Sequence, residues 1–282
     1  MMQSVTLAIP TFNRPKLLDA TLKSAVRQDY PNLKIVVSDN ASEGVETRST
    51  VEGYMRDDPR ISYSVQPENC GPGANFLWLL DHAATALFMW LSDDDELKHH
   101  DHITQLVHGF QRDSSAVLVF PDIDIVKNAE RTEHQLSILK RRFEKCKTDD
   151  DYLLAWCRFG GGHPFYGLYK TDHLRRHFLS HINTEWAYYG EGIFLHHMFM
   201  LGGVRFCDTA TLVYNQVNSG TRIRSRSMLS SFLKYSLATH KLYWRSERSL
   251  HQRLNLLRII GRSHYPYILF LMKKSLMNEM GG

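Results

Sequence analysis

Residues 88–96 read Phe-Met-Trp-Leu-Ser-Asp-Asp-Asp-Glu, an apolar run that ends abruptly in three aspartates. A short, uncharged run rich in aromatic residues predicts a buried β-strand. The aspartates then follow the carboxyl end of that strand, where open α/β sheets bind their ligands. Two interpretations stay open here. The carboxylates bind Mg²⁺ or Mn²⁺ together with the phosphates of a nucleotide, or they form a solvated acidic turn at the start of a helix.

The residues before this stretch alternate between strand and helix patterns. Residues 5–9 predict a first strand, residues 15–28 a helix, and residues 33–37 a second strand. Such a βαβ unit requires a parallel pair of strands and a right-handed crossover. Further strands are predicted over 61–65 and 88–91, each after a helical segment. The sequence therefore predicts a doubly wound α/β sheet with helices on both faces.

Length and composition narrow the class of protein. The chain has 282 residues, of which 43% are hydrophobic, so a large core is expected. Its four cysteines are widely spaced and form no CxxC pair, which argues against a zinc ribbon or a disulfide framework and fits a reducing compartment. We see no signal peptide, and the apolar run over 265–272 is too short to cross a bilayer. These features predict a cytoplasmic protein.

Charge is distributed unevenly along the chain. Residues 222–282 carry a net charge of +10, and residues 1–221 carry −6. Leucines and aromatic residues alternate with the cations of this tail, which is typical of amphipathic helices that lie on an anionic membrane leaflet. The alternative is a helical pair that packs on the rest of the protein. Nucleic acid is disfavoured as a partner because the acidic body opposes it.

The pattern after the aspartates is weaker. We expect a strand over 116–120 that ends at Pro121, a charged, variable excursion over 127–150, and two short strands over 204–206 and 211–214. Between them, the glycine-rich run that begins at Gly160 allows a close approach of backbone to a ligand, or it is a plain connecting loop.

Four segments resemble, in their order and spacing, the motifs of the family 2 glycosyltransferases. They are Val-Thr-Leu-Ala-Ile-Pro-Thr-Phe-Asn-Arg over 5–14, Val-Ser-Asp-Asn-Ala-Ser over 37–42, Asn-x-Gly-x3-Asn-Phe over 69–76, and Trp-Leu-Ser-Asp-Asp-Asp over 90–95. The resemblance is clear over residues 4–96 and looser over 160–221. It implies a metal-dependent, inverting transfer from a nucleotide-sugar donor to a saccharide or lipid-linked saccharide, in surface polysaccharide or glycoconjugate synthesis.

The resemblance also implies a domain organisation. A GT-A catalytic domain, with a doubly wound, mostly parallel sheet, is expected over residues 1–221. Its nucleotide-sugar half covers about 1–96 and its acceptor half about 97–221. The basic, amphipathic helical tail over 222–282 would follow it, and could place the enzyme on the inner face of the membrane.

Donor-binding roles follow residue by residue from the matching motifs. Asp39 resembles the carboxylate that accepts a hydrogen bond from the imide N–H of the base, which favours a UDP-sugar, with the guanine N1–H as an alternative. A turn-capping aspartate is the other interpretation of Asp39. Asp95 resembles the ligand of Mn²⁺ or Mg²⁺. The remaining donor-binding residues implied are Pro10, Thr11, Asn13, Arg14, Asn75, Asp93, Asp94 and Arg222.

An inverting transfer also needs a base for the acceptor hydroxyl. The family's Glu-Asp pair is broken here, and the resemblance places Glu191 on the base position, with Glu185 in reserve. A first-turn acid that stabilises the helix dipole is the alternative for Glu191. His163, Trp186 and Tyr189 are expected on the acceptor side, where core packing is the alternative for the aromatic rings.

Two other functions compete with glycosyl transfer. A sugar nucleotidyltransferase also uses a doubly wound sheet and carboxylate-bound metal, but residues 10–14 contain no glycine for its usual phosphate loop. A non-catalytic scaffold with the same fold is favoured only by the broken Glu-Asp pair, and the aspartates of residues 93–95 argue against it.

Overall fold

A computed structural model describes residues 2–127, 133–159, 162–178, 190–216 and 225–262. The chain divides into two compact units. The first, which we call the sheet unit, comprises Met1–Glu144, His163–Arg176 and Gly203–Asn218. The second, the helical unit, comprises Lys145–Gly162, His177–Gly202 and Ser219–Gly282.

The sheet unit begins with four parallel strands in the order β3-β2-β1-β4. The strands are β1 (Val5–Thr11), β2 (Leu33–Asp39), β3 (Ile61–Val65) and β4 (Leu87–Trp90). The helices between them are α1 (Pro15–Val26), α2 (Glu46–Asp57) and α3 (Pro72–Asp81). Thr11 pairs with Asp39, and Ala8 pairs with Trp90, so the segments that follow β1, β2 and β4 leave the sheet at one edge. The predicted doubly wound sheet is confirmed.

Local sequence explains these elements. Every residue of β1 is buried, as expected for a parallel strand that is covered on both faces. Helix α1 begins at Pro15, whose ring suits the first helical turn because no intrahelical N–H is needed there. Its apolar side chains Leu18, Leu22 and Ala25 recur at helical spacing and are fully buried.

The second half of the sheet mixes strand directions. Within the described residues, nine strands form one sheet that continues from β4 through β8, β6 and β9 to β5. The strands are β5 (Glu96–Leu97), β6 (Leu118–Lys127), β7 (Glu133–Gln135), β8 (Leu168–Lys170) and β9 (Val204–Gln216). The helices are α4 (His102–Arg112), α5 (Lys140–Phe143), α6 (Asp149–Phe159), α7 (Thr171–Phe178), α8 (Gly190–Leu201) and α9 (Ser225–Trp244).

Two expectations about this half are wrong. Pro121 does not end its strand, because the ladder shifts register between Pro121 and Asp122 and β6 continues to Lys127. The two short strands expected over 204–206 and 211–214 are a single strand, β9, that follows β6 through the same shift. The segment over 127–150 contains β7 and α5. At the start of α5, the buried Asp122 carboxylate accepts hydrogen bonds from the backbone N–H groups of Leu139 and Lys140.

An aromatic cluster lies directly behind the aspartates. The Trp90 ring stacks on Phe165 at a centroid distance of 4.8 Å and contacts Phe88 edge-on at 4.7 Å. Its indole N–H donates to the Phe76 carbonyl at 3.2 Å, so this buried polar group is satisfied. The cluster fixes the end of β4 and therefore the backbone from which the aspartates project.

The helical unit has its own core. Trp156 of α6 stacks on Phe199 of α8 at 4.9 Å. The Tyr243 hydroxyl of α9 lies 2.7 Å from His196 Nδ1 and 3.3 Å from Cys157 Sγ, so a buried polar network links three helices. A further helical stretch covers 250–262, and residues 263–282 of the predicted tail lie outside the described residues. No helix in the described parts of the chain combines the length and the apolar character that a membrane span requires.

Candidate active site

A cavity of about 300 Å³ opens at the carboxyl edge of β1 and β4. The donor-binding residues predicted from sequence that line it are Pro10, Thr11, Arg14, Asn75 and Asp93. The parallel register of β1 and β4 brings these residues together although 83 positions separate the first from the last. The sheet edge therefore collects polar side chains around a concave, partly apolar surface, as small-molecule sites generally do.

Asp93 brings a carboxylate to the lining of this cavity. The Thr11 hydroxyl donates to Asp93 Oδ2 at 2.8 Å, and Arg14 Nη1 donates to Oδ1 at 3.2 Å. Burial raises the pKa of Asp93, whereas the Thr11 hydroxyl and the Arg14 guanidinium act in the opposite direction. The side chain is thus held in one orientation by a neutral donor and a cation.

Arg14 also contacts the next aspartate. Its Nη1 lies 3.1 Å from Asp94 Oδ2, while the Ser92 hydroxyl donates to Asp94 Oδ1 at 2.6 Å. One guanidinium nitrogen therefore bridges two adjacent carboxylates. Since the Arg14 side chain is 42% exposed, it is accessible to a ligand at the cavity mouth.

Asp95 lies deeper than its neighbours and does not border this cavity. It is fully buried, and its Oδ1 accepts the Asn215 backbone N–H at 3.0 Å. The Thr21 hydroxyl donates to the Asp95 carbonyl at 2.8 Å, and the Asn215 side-chain amide donates to the Asp94 carbonyl at 2.8 Å. The aspartate triplet is therefore fixed between α1 and β9. In the part of the chain that the structure describes, no cluster of three His, Cys, Asp or Glu side chains is arranged around a metal position.

Asp39 has the geometry of a turn cap. Its Oδ1 accepts the Ser42 N–H at 2.8 Å, and its Oδ2 accepts the Tyr63 hydroxyl at 2.5 Å. Burial and this hydrogen bond raise the pKa of Tyr63, so the phenol stays a donor. A carboxylate offers about four acceptor positions, so these two bonds leave acceptor capacity for a base. It is Asn40, the next residue, that lines the cavity.

Asn13 and Asn75 both support the surrounding backbone. Asn13 has a positive φ of 55°, and its Oδ1 accepts the Glu43 N–H at 2.7 Å, which ties the loop after β1 to the loop after β2. Asn75 is buried, accepts the Ser38 hydroxyl at 2.5 Å and donates to the Ser38 carbonyl at 3.0 Å. Both asparagines therefore position the cavity wall.

Two further asparagines of the site belong to the quoted motifs but received no predicted role. Asn40 is buried and donates to Asn69 Oδ1 at 2.9 Å, and both line the cavity. Asn40 Oδ1 also accepts the Cys70 N–H at 3.0 Å. The signals that could have identified them are their places in these motifs, with Asn40 directly after Asp39 and Asn69 at the start of the segment over 69–76.

His163 belongs to the sheet unit, where it packs edge-on against Tyr214 at a centroid distance of 5.0 Å. Burial lowers the pKa of His163 to about 4, so its imidazole is neutral at pH 7. The neutral ring therefore packs against an aromatic side chain of β9. Its predicted contact with an acceptor stays a prediction.

Glu191 belongs to the helical unit, in the first turn of α8. Burial raises the pKa of Glu191 to about 7. A Cβ atom at Gly162 would lie 2.7 Å from Glu191 Oε2, so any other residue at that position would require the end of the Glu191 side chain to shift. The other predicted residues Glu185, Trp186, Tyr189 and Arg222 lie outside the described residues.

Comparison with known proteins gives a consistent result. Residues 6–178 match the family described as Glycosyl transferase family 2. Over 97 residues the chain is 40% identical to a GalNAc(5)-diNAcBac-PP-undecaprenol beta-1,3-glucosyltransferase of Campylobacter jejuni. The matched segment makes up 34% of this chain and 31% of that protein. The chain is also 25% identical over 178 residues to the mouse beta-1,4 N-acetylgalactosaminyltransferase 2. That segment makes up 63% of this chain and 31% of the mouse protein.

Solved structures share the fold. The fragment of S. aureus TarS solved with UDP-GlcNAc matches with a TM-score of 0.69 at 15% identity, over 94% of this chain and 73% of that one. The mannosyltransferase PcManGT of Pyrobaculum calidifontis, solved with GDP-Man and Mn²⁺, matches with a TM-score of 0.64 at 17% identity, over 100% of this chain and 76% of that one.

Proposed function

The chain belongs to glycosyl transferase family 2, and from that premise we propose that it transfers a sugar from a nucleoside diphosphate donor to a hydroxyl group of a saccharide or lipid-linked saccharide. A UDP-sugar is the donor we favour. The role in surface polysaccharide or glycoconjugate synthesis belongs to the same proposal.

The observation that carries the proposal is the Thr11–Asp93–Arg14 network. It holds a buried carboxylate and an accessible guanidinium at the mouth of one cavity. A carboxylate in a fixed orientation suits the hydroxyl groups of a ribose, and a guanidinium suits the diphosphate because its N–H groups match phosphate oxygens. The relatives solved with UDP-GlcNAc and with GDP-Man support this donor class.

Divalent metal is part of the proposal, and the donor set agrees with it. The carboxylates of Asp93, Asp94 and Asp95 supply the hard oxygen ligands that Mg²⁺ and Mn²⁺ prefer. Such ions commonly use one or two carboxylates together with substrate phosphates, so a complete protein cage is not required. We propose Asp95 as the ligand, beside Asp93 and Asp94. When bound, the ion neutralises the charge that develops on the departing nucleoside diphosphate.

Glu191 is the proposed base. A carboxyl group whose pKa is raised to about 7 is partly deprotonated at neutral pH and is a much stronger base than an ordinary glutamate. In the proposed step, Glu191 takes the proton of the acceptor hydroxyl while the oxygen forms its bond to the sugar carbon and the nucleoside diphosphate leaves.

A lipid-linked acceptor would place the enzyme at a membrane. The C. jejuni relative is named for a substrate linked to PP-undecaprenol, which supports this acceptor class. The helices over 225–262 expose large apolar side chains among their cations, namely Leu233, Leu237, Trp244, Leu250 and Leu254. We propose that these helices dock the protein on the cytoplasmic leaflet, since exposed apolar groups and cations together favour anionic lipid surfaces.

The test is a donor-turnover assay with a matched control. Purified protein is incubated with Mn²⁺, a panel of nucleotide sugars and saccharide or lipid-linked acceptors, and the released product is identified. Nucleoside diphosphate release by the wild type, lost in Asp93→Asn and kept in Asp57→Asn, is the expected result, because Asp57 is exposed at the end of α2. Release of pyrophosphate instead would contradict the proposal and identify a nucleotidyltransferase.

A further inference from the structure

A second cavity lies entirely within the helical unit. It has a volume of about 380 Å³ and is lined by Leu154 and Arg158 of α6 and by Asn255, Ile259 and Arg262 of the stretch over 250–262. It shares no lining residue with the cavity at the carboxyl edge of β1 and β4.

The residue spacing shows that this cavity lies between two helix faces. Leu154 and Arg158 are four residues apart on α6, and Asn255, Ile259 and Arg262 follow each other by four and three residues. Residues at these spacings share one face of a helix. Each helix therefore presents one aliphatic side chain and one arginine to the same space.

The two arginines carry uncompensated charge. Both are exposed, and neither forms an ion pair within the described parts of the chain. The acids of the first turn of α6 are engaged elsewhere: Asp150 pairs with Arg248 at 2.6 Å, and Asp151 accepts the Thr148 N–H at 2.9 Å. Two guanidinium groups and an amide thus face a cavity whose nearest carboxylates on α6 already have partners.

This combination of groups selects a phosphate that is attached to an apolar chain. Guanidinium groups bind phosphate oxygens through paired N–H donors, and the Asn255 amide adds a donor. Leu154 and Ile259 add an apolar wall, which a free inorganic ion does not need. On the same helix, Leu250 is 55% exposed and Leu254 is 52% exposed, so the stretch over 250–262 offers apolar contacts next to the cations.

We propose that this cavity binds the phosphate or diphosphate head group of a membrane lipid. The inference rests on the proposed membrane docking and specifies it, because it names the two arginines that recognise the head group. A bulk phospholipid and a polyprenyl diphosphate both carry a phosphate attached to an apolar chain. Binding to vesicles that contain one or the other distinguishes them.

The test measures binding to vesicles in the absence of any donor. Wild type is compared with the double variant Arg158→Gln/Arg262→Gln and with the charge-matched control Arg27→Gln/Arg56→Gln, which removes two exposed arginines from the sheet unit. Vesicles contain phosphatidylcholine alone, phosphatidylcholine with phosphatidic acid, or phosphatidylcholine with a polyprenyl diphosphate. We expect the double variant to bind the phosphate-bearing vesicles about tenfold more weakly than the control, which is the effect of losing about 1.4 kcal/mol.

Each outcome decides a specific point. Equal binding by the double variant and the control overturns the proposal. Stronger binding to polyprenyl diphosphate than to phosphatidic acid at equal surface charge supports the proposal with the lipid-linked acceptor as ligand, and the reverse order supports it with a bulk phospholipid. Calorimetric binding of inorganic pyrophosphate without vesicle binding overturns the lipid assignment.

Failure of the proposed enzymatic activity is detected separately. Asp93→Asn is expected to bind vesicles as the wild type does, because Asp93 belongs to the sheet unit. Circular dichroism of all variants is the control for their folding. If donor turnover is never observed but the vesicle results above hold, the glycosyltransferase proposal fails while the lipid site stands.

Discussion

Replacing Glu191 with glutamine tests the raised pKa of this carboxyl group in the helical unit. The pKa of this carboxyl group is raised from 4.5 to about 7 by burial, so the native state keeps its proton over a pH range where the unfolded chain has lost it. Between these two values the native state binds more protons than the unfolded state. Stability therefore falls as the pH rises through this window, and the loss is complete above the native pKa.

The size of the effect follows from the shift. Each pKa unit corresponds to about 1.4 kcal/mol, so charging Glu191 costs up to about 3 kcal/mol of stability above pH 7. The side chain is partly exposed, and water reduces the cost, so this figure is an upper bound. Glutamine has the same shape but no titration. The variant should match the wild type at pH 4 and be more stable at pH 8.

Two assays check this account. Urea unfolding of the wild type, Glu191→Gln and the exposed control Glu144→Gln at pH 4 and pH 8 gives the pH dependence of stability. Turnover of donor and acceptor across the same pH range tests the base, since loss of general base catalysis typically costs about 10²- to 10⁴-fold in kcat. The wild-type rate should rise with pH to a plateau above pH 7. A Glu191→Gln enzyme with the wild-type rate and the wild-type pH profile of stability would refute the reasoning.

Three further perturbations test the sheet unit. Asp93→Asn should weaken binding of UDP with Mn²⁺ by about tenfold or more in calorimetry, because charge-assisted hydrogen bonds contribute about 1.5–3 kcal/mol. Arg14→Gln should weaken UDP binding similarly but reduce the free energy of unfolding by no more than about 1 kcal/mol, since the guanidinium is 42% exposed and water can take its place beside the carboxylates; a larger stability loss in urea would contradict this. Gly167→Ala should lower stability by about 1–3 kcal/mol, because its Cβ atom would lie 2.6 Å from Leu118 Cδ1 and 2.8 Å from the Val119 carbonyl oxygen. Gly53→Ala in α2 is the control and should gain up to about 1 kcal/mol; similar unfolding curves for both would contradict the packing argument.

The parallel half of the sheet was predictable because its signals are local. The strands β1, β2 and β4 are short apolar runs separated by helices of regular period, and parallel pairing places their carboxyl ends at one edge. The meeting of Thr11 with Asp93 follows from this topology, although the two residues are far apart in sequence.

The mixed half was not predictable because its geometry depends on distant pairing. Pro121 normally ends a strand, but here β9 accommodates it by a register shift that no local pattern encodes. Asn215 fixes Asp95 through its backbone N–H, and a backbone group leaves no mark in the sequence. In the parallel half, the Tyr63 hydroxyl on Asp39 was also not predicted, although the paired strands β2 and β3 that bring the two residues together were.

The most direct test of the central claim is a thermal-shift measurement with nucleoside diphosphates and nucleotide sugars, each with and without Mn²⁺. A ligand at about 100 times its Kd stabilises the native state by about 2.7 kcal/mol. For a chain of this size that free energy raises the Tm by about 5 °C. We expect UDP or a UDP-sugar with Mn²⁺ to produce this shift in the wild type and not in Asp93→Asn. No metal-dependent stabilisation by any nucleoside diphosphate or nucleotide sugar would contradict the claim that the cavity at Thr11, Arg14 and Asp93 binds a nucleotide-sugar donor.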